Sequence, residues 1–592
     1  MILKYKLFNE VTQSPPIRQI LYNRGIDTKE KQDKWNNASF PEDVNSPFAF
    51  GEKKIKHAVD LIQKALNNSQ EVYVIVDCDA DGWTAAAIAI NYLTDLTNVE
   101  YAKKHFHYIM HSGKQHGLAD CVEQFPDNCF AWLPDSCTND NAQLQELLKR
   151  GCSVLITDHH EADDYLEDED NLVIVNNQIS EYSNKDLSGA GITWQICKAY
   201  DILYKQEEGW LGADKYLDLV ALGAISDMML YTSIETKAFV DIGLANIRNP
   251  FFYYMCEKNK FSIDKMGGIN YMSIAFYVTP FINAMVRSGT PEEKDMAFQS
   301  FLQIYAFDKI ESNKRGHKGE LVPRVEEAVR IAANVKARQT KLQDAAMELL
   351  EERIKEQNLL DNGIIILLCE PGEVEKGLVG LVANKIQAKY QHPCIVLIKS
   401  KEKDDKEYYY RGSIRNYSMS ENQDLRQLCL DTGLPEWVQG HQNAAGLSIA
   451  ESKVTEFQKV TNEIYKDISK EPVYWVDYEW FSKDINSSDI LAIADSKAFW
   501  GQGIPEPYVA IRNIPLESVQ LLSPDKHPTL KIHLSNGVDI MKFKSSQEEY
   551  EQFIKPNMYL TAICRCAKNE WMNRITAQLI VEDFYIEEQW IF

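Results

Sequence analysis

The chain has 592 residues, too many for a single core of about 100–200 residues, so three or four folded units are expected. Hydrophobic residues make up 45% and charged residues 25%, which are globular values, and no apolar run approaches the roughly 18–20 residues of a membrane-spanning helix. A formal charge of −24 argues against broad affinity for nucleic acid, because phosphate contacts come from Lys and Arg, so any nucleic-acid site must be local.

The first ten residues, Met1-Ile-Leu-Lys-Tyr-Lys-Leu-Phe-Asn-Glu10, interrupt their apolar pattern with charge and carry no signal-peptide core, so a cytoplasmic location is expected. The 12 cysteines are scattered without a CxxC spacing, which fits a reducing compartment. Cys564-Arg-Cys566 places two thiols on one face of a strand-like segment, where packing explains them.

From residue 71 short apolar runs alternate with amphipathic stretches. Glu71-Val-Tyr-Val-Ile-Val-Asp77, Cys129-Phe-Ala-Trp-Leu-Pro-Asp135, Cys152-Ser-Val-Leu-Ile-Thr-Asp158 and Asn171-Leu-Val-Ile-Val-Asn176 predict buried strands of a parallel α/β sheet. Ligands of such sheets bind beyond the carboxyl ends of the strands, and three of these four end on aspartate. Residues 321–356 hold one early Pro and no Gly, and predict one long helix able to connect two lobes. Beyond it, Gly363-Ile-Ile-Ile-Leu-Leu-Cys369 and Cys394-Ile-Val-Leu-Ile398 flank a helical segment, giving a smaller α/β unit to about residue 470. From Pro472 strand-like segments with Pro and Gly turns predict a small barrel of the OB type, a common holder of single strands.

The chemistry concentrates at the strand ends. Asp77-Cys-Asp79-Ala-Asp81-Gly82 carries three aspartates at alternate positions between a strand and the helical run 84–93, a spacing that lets carboxylates converge on hard cations. The same start opens a calcium loop of the EF-hand type, but the twelfth position is Ile88, and a helix cap explains one aspartate only. Asp135 ends the next buried strand, alone a turn residue. Asp158-His159-His160 ends another and offers carboxylate and imidazole together, which suits manganese or magnesium plus a phosphate-contacting group. Asp227 closes the apolar helical stretch 218–227.

Asp-x-Asp, then Asp, then Asp-His-His, then Asp, in that order, resembles the DHH phosphoesterase superfamily, and Asp77-x-Asp79-x-Asp81-Gly82, Leu187-Ser-Gly189-Ala-Gly191 and Leu219-Val-Ala-Leu-Gly223 resemble its RecJ exonuclease branch. The likeness continues through Asn283-Ala-Met-Val-Arg287, Gly377-Leu-Val-Gly380, Gly412-Ser-Ile-Arg415 and Gly440-His-Gln-Asn-Ala-Ala-Gly446 to the tail, where Phe499-Trp-Gly-Gln-Gly503 and Asn569-Glu-Trp571 are similar to a RecJ OB domain. The resemblance implies a parallel-sheet DHH catalytic domain with an N-terminal extension (1–320), a connecting helix (321–357), an α/β DHH-associated domain (358–470) and an OB-fold β-barrel (471–592).

It further implies a single-strand DNA exonuclease acting 5′ to 3′ in recombination and repair, with two divalent cations, manganese or magnesium, clamping the reacting oxygens of an in-line displacement. Asp77, Asp79, Asp81, Asp135, His159 and Asp227 would hold the metals, Asp135 bridging both. Asp135, His159, His160 and Asp158 would form the catalytic set, His160 donating to the scissile phosphate and Asp158 orienting the histidines. Asn283, Arg287, Ser413, Arg415, Gly440, His441 and His160 would contact substrate in a groove between the lobes. The resemblance implies a monomer in the cytoplasm of a bacterium or phage-infected host, with a single-strand-binding protein as partner. Three departures mark a divergent member from a phage or mobile element: Asp135-Ser-Cys137 for Asp-Asn-Gly, Glu235-Thr-Lys237 for Glu-Asn-Arg, and Gln439-Gly-His441 for Gly-Gly-His. Basic or polar stripes at Asn334, Arg338 and Lys341 and at 313–318 suit either a backbone track or solvent, while the acidic run 161–170 reads as a solvated loop. A phosphodiesterase of short oligonucleotides or dinucleotides and a non-catalytic single-strand-binding scaffold are the competing readings.

Overall fold

A computed structural model describes residues 3–589 except 112–115, 206–209, 403–404, 418, 421, 423, 467, 469–471 and 573. The chain forms two compact units, one of Arg24–Lys336 with Lys497–Pro505, the other of Met1–Asn23, Ala337–Ser496 and Glu506–Phe592.

The first unit is built on a five-stranded parallel sheet, β1 (Val72–Val76), β2 (Phe106–Met110), β3 (Phe130–Pro134), β4 (Ser153–Asp158) and β5 (Leu172–Asn176), in the order β2-β1-β3-β4-β5. β3, β4 and β5 are buried along their whole length, which is why they read as continuous apolar runs. Three helices pack together beside the sheet: α1 (Ala80–Leu96), α2 (Gly189–Tyr204) and α3 (Leu217–Ser226). Ala85, Ala86, Ala87 and Ala89 keep α1 narrow enough for close contact with both other helices. A further helix, α4 (Thr279–Ser288), packs on α1 and α3.

The long helix is α5 (Arg324–Glu356), 33 residues. It begins three residues later than the sequence predicts, because Leu321–Pro323 pairs as an antiparallel strand with Lys309–Glu311. Asn334, Arg338 and Lys341 are exposed along it. Ala346, Leu350 and Ile354 pack into the core of the second unit, against β6 (Ile365–Cys369) and β7 (Cys394–Ser400). That sheet continues through β8 (Tyr409–Arg415), β9 (Trp437–His441) and β10 (Ala444–Ala450) in the order β9-β10-β8-β7-β6, with helix α6 (Val379–Tyr390) between β6 and β7 in sequence. The tail forms a seven-stranded mixed sheet dominated by a long hairpin of β11 (Met558–Trp571) and β12 (Arg574–Glu588).

Two segments pack away from the domains assigned to them by sequence. Lys4–Leu7 pairs in parallel with Val473–Val476, so the N-terminal strand belongs to the second unit. Residues 497–505, within the tail, pack on the parallel-sheet unit: Tyr231 N–H donates to the Gln502 carbonyl at 2.9 Å, and a Cβ at Gly501 would lie 2.8 Å from the Tyr231 ring. All 12 cysteines are free and buried, Cys564 and Cys566 included. No helix among the described residues is long and apolar enough to cross a membrane.

Candidate metal centre

With β1 flanked by β2 and β3, the chain leaves the sheet in opposite directions on either side of β1, and a crevice opens at the carboxyl ends of β1 and β3. Asp77 follows β1 directly and Asp79 caps α1, its Oδ1 accepting from the Gly82 N–H at 2.9 Å. Gly82 is required here, since a Cβ would lie 2.5 Å from the Cβ of Asp77. Asp81, in the first turn of α1, accepts from the N–H groups of Gly189 at 2.7 Å and Ala190 at 3.2 Å, filling the N-terminus of α2. Gly223 of α3 faces the same carboxylate, and a Cβ there would collide with Asp81 Oδ1 and lie 2.7 Å from Thr84 Oγ1.

Asp135 follows β3 with φ +65°, and Cys137 with φ +81°. Left-handed backbone at both costs roughly 1–2 kcal/mol per residue, which the Asp135 N–H bond to the Thr157 carbonyl at 2.8 Å helps to hold. Cys137 is one of the departures from the family pattern, a side chain at a position whose φ favours glycine. Both oxygens of Asp135 are buried without a hydrogen-bond partner, as is Oδ1 of Asp77.

Asp158, the last residue of β4, is saturated. Its Oδ1 accepts from the N–H groups of His159 (2.8 Å) and His160 (3.2 Å) and from His160 Nδ1 (2.8 Å), and its Oδ2 accepts from the Thr138 hydroxyl at 2.6 Å. Burial works to raise its pKa, but the hydrogen bond and charge of His160 outweigh burial and hold the carboxyl well below the usual range. It positions the histidines. His159 Nε2 lies 3.2 Å from Asp135 Oδ1, 3.4 Å from Asp227 Oδ2 and 3.9 Å from Asp81 Oδ2. Donor atoms of Asp77, Asp79 and Asp135 lie within 4.8 Å of one another, and those of Asp81, His159 and Asp227 form a second such set.

Burial and mutual repulsion push Asp135 well above the ordinary carboxylate range, Asp81 to about 7 and Asp227 to about 8. Burial lowers His159 to about 4, leaving a neutral imidazole with a free lone pair. For His160 burial lowers the pKa, but the Asp158 carboxylate overrides it and carries the ring to about 9, so it is a cation at neutral pH. Partnerless buried oxygens on Asp77 and Asp135 in one triad, beside a second triad that holds a neutral imidazole, are a donor set that fits hard divalent cations. Arg287, in the last turn of α4 with Asn283 one turn before it, is half-buried; burial lowers its pKa while the nearby Asp79 opposes the shift.

In the second unit, Ser413 and Arg415 lie on β8 against the N-terminus of α6. A Cβ at Gly380 would meet Arg415 Nη2 at 2.6 Å and Ser413 Oγ at 3.3 Å, so this glycine lets both side chains approach the helix end. Gly440 (φ +124°) and His441 end the edge strand β9, where Arg415 and His441 both pair with Ala444, on one row of the sheet.

Residues 71–224 match the N-terminal domain of the DHH family, residues 361–467 the DHHA1 domain and residues 476–583 the RecJ OB domain. YorK of Bacillus subtilis (strain 168), an SPbeta prophage-derived protein carrying the name of a single-strand DNA-specific exonuclease, is 32% identical over 593 residues, covering 99% of this chain and 98% of YorK. The chain belongs to the RecJ family. The single-stranded-DNA-specific exonuclease RecJ of the same bacterium is 26% identical over 98% of this chain and 69% of that protein. The crystal structure of RecJ with Mn2+ from Thermus thermophilus has the same fold, with a TM-score of 0.70 at 19% identity over 99% of this chain and 80% of that one.

Within this RecJ-family chain the Glu235-Thr-Lys237 departure is structurally occupied. Glu235 accepts from the Tyr182 hydroxyl at 2.6 Å and from the Asn45 N–H at 2.8 Å, and Lys237 lies buried 4.6 Å from the Trp35 ring centroid. The acidic run is tied at both ends: Asn139 and Asn141 donate to the Glu161 and Asp164 carbonyls, and Asp168 pairs with Lys54 at 2.9 Å. Sequence reasoning missed His111 and His116, which flank Asp77: His116 Nδ1 is 2.5 Å from Asp77 Oδ2 and His111 Nε2 is 3.5 Å from Asp77 Oδ1. The signal was a histidine immediately after a short strand, at the same edge of the sheet as Asp77.

Proposed function

We propose that the chain hydrolyses phosphodiester bonds of single-stranded DNA from the 5′ end, releasing mononucleotides, with two divalent cations, manganese or magnesium, at the aspartate cluster. The observation that carries this reading is Asp135, a buried carboxylate with neither oxygen hydrogen-bonded, which belongs to one triad of metal-ligating atoms and lies 3.2 Å from His159 of the other. When bound, the cations supply Lewis-acid stabilisation of the attacking, phosphoryl and leaving oxygens. Asp77 and Asp79 would hold one, Asp81, His159 and Asp227 would hold the other, and Asp135 would be available to both. Asp158 keeps His160 protonated and turned so that its free Nε2–H donates to the phosphate oxygen where charge develops. Arg287 and Asn283 in one unit, and Ser413, Arg415, Gly440 and His441 in the other, contact backbone phosphates.

A scaffold reading is not favoured, since every position of the ligand set keeps a competent donor. On family membership, the chain works as a monomer in the cytoplasm of a bacterium or phage-infected host, beside a single-strand-binding protein, in recombination and repair. The test is digestion of single-stranded DNA labelled at its 3′ end, with Mn2+, with EDTA and with Asp135→Ala, beside a duplex and a dinucleotide. Mn2+-dependent release of mononucleotides from the 5′ end, abolished by EDTA and by the substitution, is expected. Cleavage of the dinucleotide alone, or DNA binding without metal-dependent cleavage, overturns the reading.

A further inference from the structure

Asp227 is held differently from its neighbours in the cluster. Asp79 and Asp81 accept backbone N–H bonds, whereas among the described residues no hydrogen bond reaches the Asp227 carboxylate, so its place depends on its backbone. That backbone is the end of α3. The N–H of Asp227 donates to the Gly223 carbonyl at 3.0 Å, that of Met228 to Ile225 at 3.3 Å and that of Met229 to Ala224 at 2.9 Å, a closure that puts Met228 in the left-handed region at φ +57°. Glycine is the usual residue at such a position and a side chain is disfavoured there, so the helix end gains from a hold outside itself.

The hold is at Tyr231. Its N–H donates to the Gln502 carbonyl at 2.9 Å, its carbonyl accepts from the Trp35 indole at 2.8 Å and its hydroxyl donates to Asp241 Oδ1 at 2.5 Å. Its ring packs on Trp35 and Tyr271, with centroids 5.8 Å and 5.1 Å away. Gln502 lies in the Lys497–Pro505 segment, whose two flanks belong to the other unit. Gly501 and Ile504 exchange backbone hydrogen bonds at 2.9 Å and 3.0 Å, closing that segment into a tight turn, and Phe499 meets Trp35 edge-on at 5.5 Å. A Cβ at Gly501 would lie 2.8 Å from the Tyr231 ring and 3.0 Å from that of Tyr271, and one at Gly503 would lie 3.2 Å from Leu230 and 3.3 Å from Thr232. The turn is fitted closely to residues 230–232.

We propose that the 499–503 turn is a positioning element of the metal centre: by fixing Tyr231 it holds the helix end at Met228, and through it Asp227, in place for a cation. The tail of the chain then builds part of the metal centre. This rests on the reading of Asp227 as a metal ligand.

The test measures Mn2+ binding by calorimetric titration, kcat and KM on single-stranded DNA, and amide exchange at Tyr231, all in the full chain. Gly501→Ala pushes on both tyrosine rings, and Gly503→Ala takes its place if the first variant melts far below wild type. Asp227→Asn is the benchmark. The glycine variant should weaken by about 10-fold the Mn2+ step that Asp227→Asn weakens, and speed exchange at Tyr231. Its kcat should fall at limiting Mn2+ and recover at high Mn2+, with KM for DNA unchanged, a pattern that general loss of stability does not produce. Wild-type Mn2+ affinities in the glycine variant, while Asp227→Asn loses a step, overturn the positioning role alone, whatever happens to KM. Wild-type Mn2+ affinities in Asp227→Asn overturn the reading of Asp227 as a ligand and this inference with it.

Discussion

Gly189→Ala tests whether the glycine at the start of α2 exists to make room for a metal-binding carboxylate. Its φ lies outside the left-handed region, so alanine meets no backbone strain, and helix propensity alone would favour the change by up to about 1 kcal/mol. Packing opposes it. A Cβ at 189 would lie 2.7 Å from both Cβ and Cγ of Asp135, and closer still to Oδ1, where ordinary contact begins at 3.4 Å. Asp135 must therefore retreat by roughly 0.7 Å or more, and overpacking of this kind costs about 1–3 kcal/mol. A misplacement of about 1 Å at a reacting centre costs on the order of 100-fold, equivalent to about 2.7 kcal/mol of transition-state stabilisation. The assay is kcat/KM on single-stranded DNA at saturating Mn2+, with Mn2+ affinity and melting temperature measured alongside. A fall of about 100-fold with weakened Mn2+ binding and a modest loss of stability is expected. Activity within threefold of wild type at unchanged Mn2+ affinity would refute the reasoning.

Asp158→Asn removes the carboxylate that keeps His160 protonated, so its pKa should drop from about 9 to its ordinary 6.5 or lower. With the protonated ring acting as proposed, activity is lost as pH rises through that pKa, and the alkaline limb of kcat/KM should move down by about 2.5 pH units or more; an unmoved limb contradicts the role. Without metal, Asp81 and Asp227 keep protons in the folded state up to about 7 and about 8 against an ordinary 3.8, so stability falls as pH rises through that window. Cations replace those protons, and the rise in melting temperature on adding saturating Mn2+ should grow from pH 6 to pH 8; a constant or shrinking rise contradicts it. Gly380→Ala pushes on Arg415 Nη2 from 2.6 Å and should raise KM for 5′-phosphorylated DNA several-fold with little change in kcat; equal kinetics would remove Arg415 from the substrate site.

Most of the candidate metal cluster was legible because parallel strands buried on both faces are unbroken apolar runs, so aspartates at their ends stand out. Asp77, Asp135 and Asp158 all announced themselves in this way. β2 did not. Only two of its five residues are fully buried, and Lys103, Lys104 and His105 run directly into it, so no apolar run marks it and His111 went unnoticed. The glycines of the Leu187-Ser-Gly189 and Leu219–Gly223 motifs were visible as pattern, but their reason, contact with Asp135 and Asp81 across more than 50 residues of sequence, exists only in three dimensions. The same holds for Lys4–Leu7, whose partner strand lies beyond residue 470, and for residues 497–505, whose contacts with Tyr231 and Tyr271 no local periodicity encodes. At the start of α5, Leu321 and Val322 suit a strand as well as a helix, and pairing with Lys309–Glu311 decided the matter.

The most direct test of the central claim is anomalous diffraction from crystals of the chain soaked in Mn2+. Two peaks about 3.5–4 Å apart, on either side of Asp135, are predicted. A single peak, or manganese bound away from the aspartate cluster in a protein that still digests single-stranded DNA, would contradict it.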